Sequence, residues 1–179
     1  MNLTSERLAL LRAAMLKDDI DFFIITMTDP HLSENLPDHW QIIKWLTGFT
    51  GSAATVVVTG SFAGLWTDSR YFLQAERQMA GTAFQFIRPG AWQRNDYMDY
   101  IVENVLPKQR IGFDGRTFSV NSFRRLMKRV EGISPSFVPG NEIINSIWVD
   151  RPPMPFSSGF DHPVRYCGKE RSVKIDELR

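Results

Sequence analysis

Two apolar runs joined by only two residues limit what this chain can fold into. Residues 53–59 and 62–67 are rich in β-branched and aromatic side chains, and Gly60-Ser61 is the whole connection between them. So tight a connection argues for an antiparallel β-hairpin. The segment from Trp45 to Arg77 therefore predicts a glycine-framed turn, two paired strands, and a helix that begins near Ser69.

Helical and strand patterns alternate along the rest of the first 150 residues. Apolar residues at helical spacing predict a first helix that is capped by Thr4 or Ser5 and ends near Asp18. Further helices are predicted over residues 38–46, 69–79, 96–106 and 121–130, and from a cap at Asn141 to Trp148; further strands over residues 22–25, 83–87, 110–113 and 136–138. This alternation, with one hairpin, predicts a layered α/β domain with a mixed, mostly buried sheet.

The overall charge and the cysteine content exclude several classes of protein. Lys and Arg number 21 against 20 Asp and Glu, so no net field favours nucleic acid or an anionic membrane. No stretch approaches the roughly 18 apolar residues of a membrane-spanning helix. The single cysteine, Cys167, cannot form an internal disulfide, and the N-terminus lacks the apolar core of a signal peptide. We therefore expect a cytoplasmic protein without nucleic-acid or membrane partners.

The composition changes at Asp150. The sequence Asp150-Arg151-Pro152-Pro153-Met154-Pro155 and the polar stretch after it are typical of an extended linker, because prolines fix the backbone and donate no hydrogen bonds. From Glu170 to Arg179 a helical charge pattern resumes. We therefore predict one domain over residues 1–150, and over residues 151–179 a linker and the start of a following domain.

Few residues form a pattern that carries chemistry. The three histidines lie far apart in predicted loops and at a helix start, which predicts no metal site. Gly48-Phe49-Thr50-Gly51-Ser52 has neither the Gly-x-Ser-x-Gly pattern of hydrolases nor the lysine of a phosphate loop. Gly48 and Gly51 are instead predicted to allow a positive φ or close backbone approach at the turn. The histidines are His31, His39 and His162.

Charged and aromatic residues meet where the second hairpin strand becomes a helix. Asp68 is predicted to cap that helix, and Tyr71 to pack with its hydroxyl exposed. Arg70 is less easily explained, because the helix dipole opposes a cation in the first turn. We expect Arg70 to bind a carboxylate, either within the fold or on a ligand. Four tryptophans are predicted to lie in the core or at an interface: Trp40, Trp45, Trp66 and Trp92.

These residues together resemble a known family. Residues 48–79, GFTGSAATVVVTGSFAGLWTDSRYFLQAERQM, resemble the N-terminal domain of aminopeptidase P and other creatinase-like proteins, with its Gly-Phe-x-Gly-Ser-Ala-Gly turn and Trp-Thr-Asp-Gly-Arg-Tyr unit. Residues 31–34 (HLSE), 110–114 (RIGFD) and 145–152 (NSIWVDRP) extend the resemblance to residues 5–155. Ala54 and Ser69 replace two family glycines, so the backbone there must accommodate a Cβ atom.

The resemblance implies a three-layer fold and a role in a larger enzyme. Such enzymes release the N-terminal residue that precedes a proline, and their two metal ions, usually manganese, lie in a following pita-bread domain. Because the metal ligands of that domain are not found here, this chain alone is predicted to be inactive and to hold no catalytic or metal-binding residue. The expected partners are its own catalytic domain, a second copy in a homodimer, and peptides with proline second.

The resemblance also assigns roles within this chain. It implies that the domain contributes to oligomerisation and closes one side of the substrate cleft. Arg70 and Tyr71 are the candidate substrate-binding residues, acting across a subunit interface. The structural motif consists of Gly48, Gly51, Ser52, Trp66 and Asp68.

Two other functions fit the same fold. Some creatinase-like domains are non-enzymatic modules that bind peptides or proteins. The chain is also compatible with a domain of a prolidase, which acts on dipeptides. The extended Ile-Trp-Val-Asp-Arg-Pro exit favours the multidomain aminopeptidase over the prolidase.

Overall fold

A computed structural model describes residues 3–88 and 96–179. Its helices are α1 (Leu3–Lys17), α2 (Ile42–Thr47), α3 (Phe72–Met79), α4 (Tyr97–Asn104), α5 (Val120–Val130), α6 (Ile143–Ile147), α7 (Val164–Cys167) and α8 (Arg171–Leu178). Its strands are β1 (Phe22–Thr26), β2 (Ala54–Thr59), β3 (Ala63–Thr67), β4 (Gln85–Phe86), β5 (Arg110–Phe113) and β6 (Ser136–Pro139). Short 3₁₀ helices, Asp38–Trp40 and Ser69–Tyr71, precede α2 and α3. As far as α6, helices and strands thus alternate as predicted, apart from the β2–β3 pair.

The six described strands form one mixed sheet in the order β4-β3-β2-β1-β5-β6. β1, β3, β4, β5 and β6 run parallel, and β2 runs antiparallel to its neighbours β1 and β3. The predicted hairpin is confirmed: Ala54 pairs with Thr67, Val58 pairs with Ala63, and Thr59 donates to the Phe62 carbonyl across the turn at 2.8 Å. The carboxyl ends of β1 and β3 therefore lie at the same sheet edge as the start of β2.

Apolar side chains fill the space on both faces of the sheet. On one face, strand residues such as Phe23 and Val56 pack with α1, α2, α3 and α6. On the other face, their neighbours Ile24 and Val57 pack with α4 and α5. Successive strand side chains point to opposite faces, so continuous apolar strands need helices on both sides. The predicted three-layer α/β fold is confirmed.

Several predicted helix boundaries are wrong, each for a local reason. α1 begins at Leu3, so Thr4 is buried inside the helix and does not cap it. Glu142, not Asn141, is the N-cap residue of α6, because the Asn141 side chain instead accepts a hydrogen bond from the Gly115 amide at 2.9 Å. Gln41, with φ −79° and ψ 48°, divides the predicted helix over residues 38–46 into a 3₁₀ helix and α2.

The tryptophans largely lie where the sequence predicts. Trp40 and Trp66 are buried, and Trp45 is partly buried and stacks on the buried Trp148 with ring centroids 4.8 Å apart. Trp92 lies outside the described residues. Of the helices in residues 3–88 and 96–179, none is both long enough and apolar enough to cross a membrane.

Candidate functional site at the carboxyl edge of the sheet

The fold brings the predicted motif residues together at one edge of the sheet. Asp68 follows the end of β3, and Ser52 lies in the turn that leads into β2. The 3₁₀ helix after Asp68 carries Arg70 and Tyr71 to the same edge. We call these four residues, Ser52, Asp68, Arg70 and Tyr71, the Arg70 cluster. Ligands of α/β proteins commonly bind beyond the carboxyl ends of parallel strands, which makes this cluster the candidate site.

Asp68 is both a helix cap and the carboxylate partner of Arg70. Its Oδ1 accepts from the Arg70 amide and from Arg70 Nε, each at 3.0 Å, and its Oδ2 accepts from Nη2 at 2.7 Å. The predicted cap is therefore confirmed. The hydrogen bonds from the Arg70 side chain are the main cause that lowers the pKa of Asp68 below its ordinary value. Arg70 thus has a carboxylate partner within the fold.

Arg70 nevertheless keeps binding capacity. Its side chain is 66% exposed, and Asp68 occupies only the Nε and Nη2 side of the guanidinium group. Nη1 makes no hydrogen bond to any residue that the structure describes. An arginine presents its N–H donors in a fixed plane that suits a carboxylate or a carbonyl oxygen. The cluster can therefore accept one further acidic or carbonyl group from outside.

Tyr71 is held in place by Ser52 and by neighbouring rings. Its hydroxyl lies 2.7 Å from Ser52 Oγ, and this hydrogen bond lowers the pKa of Tyr71. The Tyr71 ring meets the Phe49 ring edge-on, with centroids 6.0 Å apart. The Arg70 guanidinium carbon lies 5.3 Å from the centroid of the Tyr71 ring. Tyr71 therefore packs with an oriented hydroxyl, as its amphipathic side chain predicts.

The two glycines of the turn have the structural roles that the sequence predicts. Gly48 ends α2 with φ +81°, a left-handed conformation that favours glycine. At Gly51 an added Cβ would lie 2.4 Å from Phe49 Cζ and 2.9 Å from Tyr71 Cδ1. Ala54 and Ser69, which replace family glycines, both avoid the left-handed region. The backbone therefore accommodates their side chains.

A buried aspartate, which the sequence did not single out, organises the loop beside the cluster. Asp29 is buried, and its Oδ1 accepts from the amides of His31 and Ser33, each at 2.9 Å. Burial alone would raise the pKa of Asp29, but these hydrogen bonds outweigh it and the pKa is lowered. The loop places Glu34 close enough to contribute to the raised pKa of Arg70, after the larger effect of Asp68. An aspartate that opens a turn, where its side chain can accept from the amide two residues later, is the signal that could have identified Asp29.

Two cavities are lined by residues of the Arg70 cluster. A cavity of about 300 Å³ is lined by Glu34, Lys44 and Ser52, among others. A second cavity of about 510 Å³ lies against Trp66, Asp68 and again Ser52. Trp66 therefore forms part of a cavity wall as well as part of the core. Ser52 therefore lines both cavities, and Asp68 lines the second.

The histidines do not converge on this edge. His31 is exposed in the loop, His39 binds the Pro152 carbonyl, and His162 lies in the C-terminal segment. Among the residues that the structure describes, no group of three or more His, Cys, Asp or Glu side chains could hold a metal ion. The residues of the cluster therefore suit binding of a polar group.

Comparison with known proteins decides the family. Residues 7–147 match the model of the Creatinase/Prolidase N-terminal domain. The chain belongs to this family. Along 98% of its length it is 32% identical to Xaa-Pro aminopeptidase 2 of Rattus norvegicus, and along 88% it is 33% identical to Xaa-Pro aminopeptidase app-1 of Caenorhabditis elegans. It spans only about a quarter of these relatives, 26% of each.

Solved structures agree with the family assignment. The X-prolyl aminopeptidase of C. elegans, described as a cytosolic enzyme with a di-nuclear active site, matches 98% of this chain with a TM-score of 0.84 and 30% identity. The chain covers 30% of that enzyme. An Xaa-Pro aminopeptidase from Streptococcus thermophilus matches 82% of this chain with a TM-score of 0.60 and 25% identity, over 98% of its own chain. This creatinase-like chain therefore corresponds to the N-terminal domain of Xaa-Pro aminopeptidases.

Proposed function

We propose that this chain is the non-catalytic N-terminal domain of a metal-dependent aminopeptidase that releases the residue preceding a proline. The observation that carries the proposal is the similarity of almost the whole chain to about a quarter of much longer Xaa-Pro aminopeptidases. In this proposal residues 1–150 form the domain and residues 151–179 lead to a catalytic domain with two divalent metal ions, manganese by family resemblance. The C. elegans relative is described as cytosolic, which supports a cytoplasmic location.

The contribution of this domain is to bind and orient the peptide. Arg70, with Nη1 free for a further acceptor, contacts a carboxylate or carbonyl group of the substrate. The ring of Tyr71 packs against the Arg70 guanidinium group and holds it in place. In a homodimer the cluster closes one side of the cleft that belongs to the partner subunit. The exposed guanidinium and the exposed Leu73, one turn further along, support an interface at this edge. No proton transfer or metal chemistry is assigned to residues of this chain.

The first test compares this chain with the longer protein in hydrolysis of an Xaa-Pro peptide in the presence of manganese. We expect no turnover by residues 1–179 alone and chelator-sensitive turnover by the longer protein. Hydrolysis by the chain alone that a chelator abolishes would contradict the proposal. Calorimetry of the chain with the same peptide and without metal separates the alternatives, because tight binding there would favour a non-enzymatic peptide-binding module.

The second test is Arg70→Gln in the longer protein. Loss of a charge-assisted contact to the substrate is expected to raise KM at least tenfold, since such contacts are among the stronger hydrogen bonds. Arg88→Gln is the matched control, because Arg88 is also an exposed arginine paired with an acid, Glu76 at 3.2 Å. A KM for Arg70→Gln equal to that of the control would show that Arg70 serves only the fold.

A further inference from the structure

The chain leaves the domain through a set of contacts that is separate from the Arg70 cluster. Arg151 Nε donates to the His39 carbonyl at 2.9 Å, and Arg151 Nη1 donates to Asn145 Oδ1. His39 Nδ1 lies 2.7 Å from the Pro152 carbonyl oxygen. Because a carbonyl oxygen can only accept, His39 carries its proton on Nδ1 and donates it. We call Arg151, His39 and the rings around them, Trp40 and Trp148, the exit clamp.

Stacking adds to these hydrogen bonds. The guanidinium carbon of Arg151 lies 5.2 Å from the centroid of the Trp40 ring and 5.6 Å from that of Trp148. Both rings are buried, with exposures of 3% and 7%. A planar guanidinium group over an indole is a favourable cation–π arrangement. Arg151 therefore joins the 3₁₀ helix Asp38–Trp40 to the end of α6.

Arg151 is a partly buried cation without an ion-pair partner among the described residues. None of the ion pairs among the described residues involves Arg151, and its buried Nη2 has no hydrogen-bond partner there. Burial lowers its pKa, and the neighbouring Arg116 lowers it further. An apolar side chain would avoid these costs, but it could not hold the His39 carbonyl and Asn145 at once. The arrangement therefore favours defined geometry over stability.

The clamp is also the last attachment of the chain to the domain. After Pro152, the side-chain hydrogen bonds of the described residues, such as Lys169–Glu177 and Arg171–Asp161, stay within the C-terminal segment. Residues 153–163 have no regular secondary structure and are exposed. Pro152 and Pro153 restrict φ immediately after the clamp. The direction in which the following chain departs is therefore fixed at residues 151–152.

We propose that Arg151 and His39 are positioning residues, and that the exit clamp sets the orientation of the following catalytic domain relative to the Arg70 cluster. The catalytic part of this inference rests on the proposed function. The clamp itself does not, because it concerns contacts within this chain. Two measurements therefore test the two parts separately.

The first measurement uses spin labels on the chain itself. One nitroxide is attached to Met154→Cys, an exposed position directly after the clamp, in a protein whose single cysteine is removed by Cys167→Ser, and the other to Lys128→Cys on the exposed face of α5. We expect a narrow distance distribution in this reference protein and at least a twofold broader one after Arg151→Leu. The control is Arg77→Leu, an exposed arginine of α3, which is expected to leave the distribution narrow. A second variant, His39→Phe, removes only the bond to Pro152 and keeps an aromatic ring.

Circular dichroism and urea titration establish that each variant is folded. Equal distribution widths in Arg151→Leu, His39→Phe and the control would overturn the clamp. A reference distribution already as broad as that of Arg151→Leu would overturn it as well. None of these outcomes depends on peptidase activity.

The second measurement uses the longer protein and Xaa-Pro peptides of increasing length. Arg151→Leu is expected to raise KM several-fold for the longer peptides, with unchanged metal content, because the Arg70 cluster no longer faces the cleft at a fixed distance. A folded variant with broadened distances and unchanged KM would overturn the catalytic part of the inference. If the reference protein itself has no peptidase activity, the proposed function fails while the distance measurement still decides the clamp.

Discussion

At the scale of single residues, the turn into β2 depends on the missing side chain of Gly51. Replacement by alanine places a Cβ 2.4 Å from Phe49 Cζ, and Phe49 is fully buried and cannot move aside without disturbing the core. Overpacking of this kind costs about 1–3 kcal/mol. We therefore expect Gly51→Ala to lower the free energy of unfolding by about that amount in a urea titration.

Gly60→Ala is the matched control for this substitution. Gly60 also lies in a turn beside β2, but its added Cβ would meet no atom within 4 Å, and its φ is not positive. We expect its free energy of unfolding to stay within about 0.5 kcal/mol of the parent. Equal losses of unfolding free energy in Gly51→Ala and Gly60→Ala would show that the contact with Phe49 is not the cause.

His39 makes stability depend on pH. Burial lowers the pKa of His39 below its ordinary value of 6.5, the bond to Pro152 opposes this shift, and the charges of Arg151 and Arg116 reinforce it. Asp114 and Glu142 face the two arginines and partly offset their charge. Because the unfolded chain takes up the proton first, the stabilisation is complete above pH 6.5 and is lost as pH falls below it.

The measurement is urea unfolding at pH 7.5 and pH 5.5, about one unit on either side of the ordinary pKa. His39→Phe is expected to lose less stability than the parent between pH 7.5 and pH 5.5. The variant lacks the imidazole whose protonation the folded parent disfavours. His162→Phe, in the exposed C-terminal segment, is expected to keep the parent's loss. The same loss in all three proteins would contradict the assignment to His39.

The sequence predicted those site residues whose roles are local. Asp68 caps the turn that follows it, and Gly48 ends α2, as residue type and spacing indicate. Arg70 stood out because a cation in a first helical turn needs a reason, and its bidentate bond to Asp68 supplies part of one. Glu34 belongs to a motif of the resemblance, but its interaction with Arg70 was not predicted, because it depends on how a distant loop folds against the sheet edge.

At the scale of elements, one arginine joins the two helices on the second face of the sheet. Arg129 of α5 donates to Asp96, the N-cap of α4, at 3.1 Å and to the buried Asp99 one turn later. Asp99 is 8% exposed, and burial would raise its pKa, but the Asp96 amide and Arg129 lower it overall. This network therefore compensates a carboxylate that would otherwise be buried and unpaired.

Arg129→Met tests this joint between α4 and α5. Breaking a largely buried ion pair from one side costs about 3 kcal/mol, and we expect a loss of that order in urea unfolding at pH 7. Arg124→Met, an exposed arginine of the same helix, is expected to change little. The loss of unfolding free energy in Arg129→Met should shrink as pH falls below 3.8, the ordinary pKa of an aspartate, because a protonated Asp99 needs no cation. A loss that is independent of pH would assign the effect to packing.

The elements themselves were predicted where short-range rules decide them. The hairpin followed from the two-residue connection, and α5 followed from its apolar stripe. Its cap, Ser119, was not predicted. The strand predicted over residues 83–87 is shorter, Gln85–Phe86, because only β3 pairs with it among the described strands. The partner of an edge strand depends on topology, which periodicity does not reveal.

At the scale of the whole molecule, the compact body and the C-terminal segment are held together at one place. Trp148 is buried in the core, stacks on Trp45 and contacts Arg151 of the exit clamp. Beyond the clamp, apolar side chains such as Phe156 (97% exposed) and Phe160 (82% exposed) lie open to solvent. The change in composition at Asp150 predicts a domain boundary there, and that boundary stays a prediction. The ring stack and the clamp were not predictable, because they join residues about 100 positions apart.

Two truncations locate where the stability of the domain ends. A chain that ends after Pro153 keeps Trp148 and the exit clamp and loses no buried residue, so we expect the same urea midpoint and the same m-value as residues 1–179. A chain that ends after Ile147 loses a buried tryptophan and the clamp together, which predicts a loss of about 3 kcal/mol or more. If the chain that ends after Ile147 were as stable as the chain that ends after Pro153, the contacts at residues 148–152 would add nothing to folding. The clamp would then serve orientation alone.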